Sequence, residues 1–119
     1  MAQKLLIIDD EPEFLELLYR IISEKTDLHI TRTSFPHEVP DLIRDEQFDL
    51  VISDVHMPGY DGLNILKLFA EDSPEKIIII SSVHDDSLRD KSIKMGASYY
   101  LEKPFKKNDI IEAINEVMK

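Results

Sequence analysis

Cysteine is absent from the 119 residues, so neither a disulfide nor a thiolate metal site is available. No apolar run is long enough to span a bilayer. After Met1-Ala2-Gln3-Lys4 only four consecutive apolar residues follow, Leu5 to Ile8, too few for a signal peptide. The expected compartment is therefore the cytoplasm, with no membrane partner. Basic residues are scarce: 14 Lys and Arg stand against 24 Asp and Glu, a net charge of −10. Such a surface repels nucleic acid and anionic membrane and favours a basic or cationic partner. Internal repeats, linkers and low-complexity stretches are missing too, and only three glycines occur, with no Gly-rich phosphate loop among them. The length suits one domain, 1–119. Folding at this size removes roughly 65% of the surface the unfolded chain would expose, which permits a real core.

What is present is an alternation of short apolar runs with segments of helical period. Leu5–Ile8 reads as a strand, and Pro12–Lys25 as a helix with Phe14, Leu15, Leu18, Ile21 and Ile22 on one face. Pro12 suits a first turn, where its missing N–H is not needed. Leu28–Thr33 alternates like a half-exposed edge strand. A weaker helix should begin late, near Glu38 to Pro40, because Pro40 would break its middle, and run to about Asp45. Then come a strand at Leu50–Ser53, a helix from Gly62 to about Glu71, a strand at Ile77–Ile80 and a polar helix at Asp86–Met95 with Gly96 as its cap. A strand at Tyr99–Glu102 follows, and a last helix at Lys107–Met118 with Ile110, Ile111, Ile114 and Val117 inward. Five β-α units result. The continuous apolar runs imply strands buried on both faces, as in parallel sheets. The expected fold class is α/β: an open five-stranded parallel sheet, (βα)5, helices on both faces, strand order 2-1-3-4-5.

Open parallel sheets bind ligands beyond the C-terminal ends of their strands, at the switch in strand order. There the first strand delivers Asp9 and Asp10, the third Asp54, the fourth Ser81 and Ser82, and the fifth Lys103 followed by Pro104. Strands 1, 3 and 4 are neighbours at ~4.8 Å spacing. Taken singly, each residue has a plainer role: Asp54 a turn residue, Asp10 with Glu13 a capping box, the serines turn residues, Lys103 a surface charge. Taken together, three carboxylates in one crevice repel one another, and their pKa values should rise unless a cation intervenes. Mg2+ suits such oxygen ligands, takes one or two carboxylates, and completes its shell with water and a phosphate oxygen. A carboxylate beside it can act as a nucleophile toward phosphorus. Lys103 and the metal would offset charge on the transferring group, and Ser81 would hydrogen-bond a phosphoryl oxygen.

The stretches "IIDDEP" (7–12), "DLVISDVHMPGYDG" (49–62), "IIIISS" (77–82) and "MGASYYLEKPF" (95–105), with the closing amphipathic helix, resemble the receiver domain of two-component response regulators across essentially the whole chain. The resemblance implies that Asp54 accepts a phosphoryl group from a phosphohistidine on a sensor histidine kinase or histidine phosphotransfer protein. It implies that Asp9 and Asp10 are the acidic pair of a Mg2+ site completed by Asp54 and the backbone carbonyl of His56. It implies that Lys103 pairs with the phosphate, that the Lys103–Pro104 bond is cis, and that Ser81 and Tyr100 form a switch pair. Movement of that pair would remodel the face made by the fourth helix (86–95), the fifth strand and the fifth helix (107–118). That face would meet a downstream protein or an output domain missing from this chain and, by analogy, support a phosphorylation-dependent homodimer. No direct nucleic-acid binding by this chain is expected. Beyond self-phosphorylation and self-dephosphorylation, no enzymatic activity is expected.

Some residues depart from the common family pattern. Ser81 stands where Thr is more usual and lacks its β-branch. Ser82 stands where Ala or Gly is commoner. Pro36 and Pro40 alter the second helix. His56 occupies a position at which family members tune phosphate lifetime, although a solvent-facing loop histidine is the plainer reading. Two readings from other classes compete. A Mg2+-dependent phosphohydrolase with an Asp nucleophile commonly wants a second Asp two residues on, where His56 stands, and a lid that this chain lacks. A flavodoxin-like binding module would need a less anionic pocket.

Overall fold

The computed structural model describes residues 3–57, 60–61, 76–82 and 86–119. Five strands form one parallel sheet: β1 (Lys4–Ile8), β2 (His29–Thr33), β3 (Leu50–Asp54), β4 (Lys76–Ser81) and β5 (Tyr99–Glu102). Their order is β2-β1-β3-β4-β5, as expected. The register runs without a break, with Leu5 opposite Leu50, Ile52 opposite Ile78, and Ile80 opposite Leu101. Four helices are described: α1 (Pro12–Lys25), α2 (Val39–Asp45), α3 (Asp86–Lys94) and α4 (Lys107–Val117). A two-residue antiparallel pairing joins His56–Met57 to Tyr60–Asp61. The helix expected from Gly62 to Glu71 lies outside the described residues.

The uninterrupted apolar runs are explained by what each side of the sheet buries. Successive side chains alternate between faces, so Leu5, Ile7, Leu50, Ile52, Ile78 and Ile80 join one core with α1 and α4. Leu6, Ile8, Val51, Ile77 and Ile79 join a second core with Val39, Phe48 and Ala97. A strand that is apolar at every position is what two opposing cores require. Edge strand β2 has only Thr33 fully buried, in keeping with its alternating sequence.

Helix boundaries follow local chemistry. Pro12 opens α1, and Leu15, Leu18, Ile21 and Ile22 are its buried face. Its N-cap is Glu11, whose side chain makes no capping bond, so Asp10 and Glu13 do not form a capping box. A single 3-10 turn at Pro36–Glu38 precedes α2, which places Pro40 in the first turn, where it is tolerated. Of α3 only Ser92 is fully buried, its hydroxyl bonding the Leu88 carbonyl at 2.8 Å, and Gly96 ends it with φ 113°. In α4, Ala113 joins Ile110, Ile114 and Val117 in the core, while Ile111 is half-buried.

Candidate functional site

Three strand tips are held in place by one further ladder hydrogen bond each. The Asp9 N–H donates to the Thr33 carbonyl at 3.2 Å, the Val55 N–H to Ile80 at 3.1 Å, and the Lys103 N–H to Ser81 at 2.7 Å. The functional side chains therefore sit on backbone that is still part of the sheet. Asp54 is itself the last residue of β3, opposite Ile80, one residue beyond the strand read from the sequence. The Asp54 carboxylate is carried there because β3 continues into the crevice.

Asp9, Asp10 and Asp54 come together, with ligand oxygens all within 4.8 Å of one another. Asp9 and Asp54 are buried and Asp10 is half-buried. Lys103 reaches across from β5: its Nζ donates to Asp9 Oδ2 at 3.0 Å and Asp54 Oδ2 at 2.9 Å, and lies 3.9 Å from Glu11 Oε1. Its side chain is 14% exposed, so this ammonium is an interior group. The other oxygen of Asp9, Oδ1, accepts the Glu11 N–H at 3.0 Å. The Lys103–Pro104 peptide is cis, as expected. Ser81 is fully buried and Ser82 is exposed. Tyr100 is buried at 7% exposure in the core on the α2 and α3 side. The backbone of His56 starts the short antiparallel pairing that follows Val55.

Electrostatics match this geometry, but not for the reason that spacing alone suggests. The Asp9 carboxyl is pushed up from 3.8 to about 6. Burial is the largest cause; repulsion from Asp54 is the smallest, and the Glu11 N–H and Lys103 pull the other way. For Lys103, burial opposes the charge, yet hydrogen bonds to Asp54 and Asp9 and their negative charge raise its pKa above the ordinary 10.5. Because the folded protein holds a proton on Asp9 more tightly than the unfolded chain, the folded state binds more protons between pH about 4 and 6. The contribution of Asp9 to metal-free stability then falls as pH rises through that window, by about 3 kcal/mol. Asp9→Asn is expected to flatten this slope. Urea midpoints at pH 4, 5, 6 and 7 in EDTA check it, and parallel slopes in the two proteins would contradict the assignment.

Three carboxylates and one ammonium leave a local charge of −2, in a cluster that offers oxygen ligands only. That donor set fits a hard divalent cation such as Mg2+ and disfavours softer metals. Two aromatic rings also belong to the site, and sequence reasoning placed them merely in the core or in a matching motif. Phe14 lies in the first turn of α1 with Lys103 Nζ 4.0 Å from its ring centroid, and Phe105 meets Phe14 edge-on with centroids 5.9 Å apart. The available signal was position: a helix that starts at the crevice brings its first-turn residues close to Asp10.

The class that these features define is an open parallel α/β domain with an acidic crevice at the switch in strand order. Residues 5–115 match the response regulator receiver domain, and the chain belongs to that family. It is 35% identical over 106 residues to the two-component response regulator ORR24 of Oryza sativa, covering 87% of this chain and 17% of the rice protein. It is 32% identical to response regulator GtcR of Aneurinibacillus migulanus, covering 88% of this chain and 43% of GtcR. The chain thus spans less than half the length of either relative. A response regulator receiver domain from Clostridium thermocellum superimposes with a TM-score of 0.87 at 28% identity, covering 98% of this chain and 94% of that one. A CheY-like receiver domain from Methanospirillum hungatei superimposes with a TM-score of 0.89 at 23% identity, covering 98% and 93%. Among the described residues no helix is long and apolar enough to cross a membrane.

Proposed function

We propose that this chain is a cytoplasmic receiver unit that takes a phosphoryl group on Asp54 from a sensor histidine kinase or a histidine phosphotransfer protein. Support comes first from one observation: Lys103 Nζ bridges Asp9 and Asp54 inside a three-carboxylate cluster. In the transfer, an Asp54 carboxylate oxygen attacks phosphorus, the P–N bond to the donor imidazole breaks, and the imidazole leaves with its electron pair and takes a proton. Asp9, Asp10, Asp54 and the His56 carbonyl would hold Mg2+, which supplies charge compensation for the phosphoryl oxygens. Lys103 carries a fixed positive charge beside Asp9 and Asp54. Phosphorylation adds roughly −1.5 to −2 charge and three acceptor oxygens. The bonds these oxygens make to Lys103 and the Ser81 hydroxyl exist in one state only, and only such differences shift an equilibrium. Ser81 and Tyr100 then relay the change to the face of α3, β5 and α4, which regulates a partner protein or an output domain outside this chain and serves phosphorylation-dependent dimerisation.

The test uses acetyl phosphate with and without Mg2+. The expected result is Mg2+-dependent uptake approaching one hydroxylamine-labile phosphate per chain, lost in EDTA. Uptake independent of Mg2+, or sustained hydrolysis of an unrelated phosphate ester by a protein that never becomes phosphorylated, would overturn the reading.

A further inference from the structure

Lys103 has a fourth neighbour besides its carboxylates. Its ammonium lies 4.0 Å from the centroid of the Phe14 ring, at the distance where the negative face of an aromatic quadrupole attracts a cation. Phe14 is in turn braced: Phe105, two residues beyond Lys103, meets it edge-on at an interplanar angle of 78°, and both rings pack against the core between the sheet and α1 and α4. The arrangement closes a loop through the chain, because β5 carries Lys103 into the crevice and the segment after the cis peptide returns Phe105 to support the ring.

A lysine has four rotatable bonds, and its head group is ordinarily costly to hold in one place. Asp9 and Asp54 alone do not fix it, since both are candidate metal ligands whose oxygens are shared once a cation enters. A ring face offers no oxygen to a metal. It therefore keeps its hold on the ammonium when the carboxylates are engaged with another cation. The ring holds the ammonium without supplying a competing anion, so the N–H groups that now donate to Asp9 and Asp54 can turn to phosphoryl oxygens.

We propose that Phe14 is a positioning residue, its ring holding the Lys103 ammonium at the Asp9–Asp54 crevice so that the cation is in place when a phosphoryl group arrives. The inference rests on Asp54 being the phosphoacceptor.

The test replaces Phe14 with 4-fluoro-, difluoro- and trifluorophenylalanine, which drain the ring's negative face at nearly constant shape, alongside Phe14→Tyr and Phe14→Leu. Two readouts are needed. The first is the upfield ring-current shift of the Lys103 ε-protons in the unphosphorylated protein, which reads the geometry without any phosphate. The second is the rate of phosphorylation by acetyl phosphate with Mg2+. The wild type and Phe14→Tyr should show the upfield shift, and Phe14→Leu should lose it. The rate should fall stepwise with each fluorine, reaching roughly five- to thirtyfold in the trifluoro protein and in Phe14→Leu, with Phe14→Tyr within about twofold of wild type. A fluorine series that leaves the rate flat while the wild type still becomes phosphorylated overturns the role of Phe14. An absent upfield shift in the wild type overturns the geometry. A wild type that takes no phosphate overturns the assignment of Asp54 instead. Melting curves identify a misfolded Phe14→Leu, and the fluorinated series then decides.

Discussion

Asp54→Asn is expected to accept no phosphate from acetyl phosphate or from a kinase, a loss to background and not a reduction. An amide oxygen shares its electron pair with the amide nitrogen and is a far weaker nucleophile than a carboxylate oxygen. Neighbouring carboxylates do not substitute, because Oδ1 of Asp9 is tied to the Glu11 N–H and its Oδ2 to Lys103. The fold should survive, since Asn is nearly the same size and can still accept from the Lys103 ammonium with its amide oxygen. The measurement is hydroxylamine-labile phosphate per chain beside a far-UV spectrum and a melting curve. A folded variant that carries as much phosphate as wild type would show the acceptor to be another residue.

Lys103→Met is the second large effect, and it is first an effect on stability. Removing the ammonium leaves Asp9 and Asp54, 1% and 4% exposed, facing each other without the charge that joins them. Removing one partner of a buried ion pair costs much more than the pair contributes, here roughly 3 kcal/mol near pH 7.5. The sign with pH is fixed by Asp9. In the wild type its carboxyl already stands at about 6, and Lys103 is among the groups holding it down. Without Lys103 it rises further, so more of the protein carries a proton there at pH 5 than at pH 7.5, and the deficit should shrink on acidification. A divalent cation should act as a substitute charge: Mg2+ at a hundred times its dissociation constant adds about 2.7 kcal/mol by mass action. Urea unfolding at pH 5 and 7.5, with Mg2+ or EDTA, measures all three effects. Equal deficits at both pH values, unmoved by Mg2+, would mean that the ammonium is not the counter-charge of this cluster. Phosphorylation of the variant should also be severely slowed, because a fixed positive charge on the transferring group is gone.

The sheet was legible because its chemistry is redundant. Leu5–Ile8 and Ile77–Ile80 are apolar at every position, and a strand with a core on each side tolerates little else. The boundaries of α1 followed from Pro12 and a regular apolar face, and the convergence of Asp9, Asp10, Asp54 and Lys103 followed from strand order alone. Less was visible where an outcome depends on three-dimensional contact. The pKa of Asp9 was expected to rise through repulsion among carboxylates, whereas burial does most of it, and burial depends on what α1 and β5 place over the crevice. The end of β3 was read one residue short because Asp is a poor strand former; the ladder bond from Val55 to Ile80 overrides that preference. Phe14 reads in sequence as one more apolar position on the α1 face, since nothing in its spacing reveals that a lysine 89 positions later lies beside its ring.

Strand β5 borders both interiors. Tyr99 and Leu101 pack on the side of α1 and α4, and Tyr100 between them packs on the side of α2 and α3. Strands β1, β3 and β4 likewise send alternate side chains into the two interiors, so each of these strands answers to both sides. A shift of any one strand is therefore felt on both sides at once, and through β1, β3 and β5 it reaches the crevice where Asp9, Asp54 and Lys103 meet.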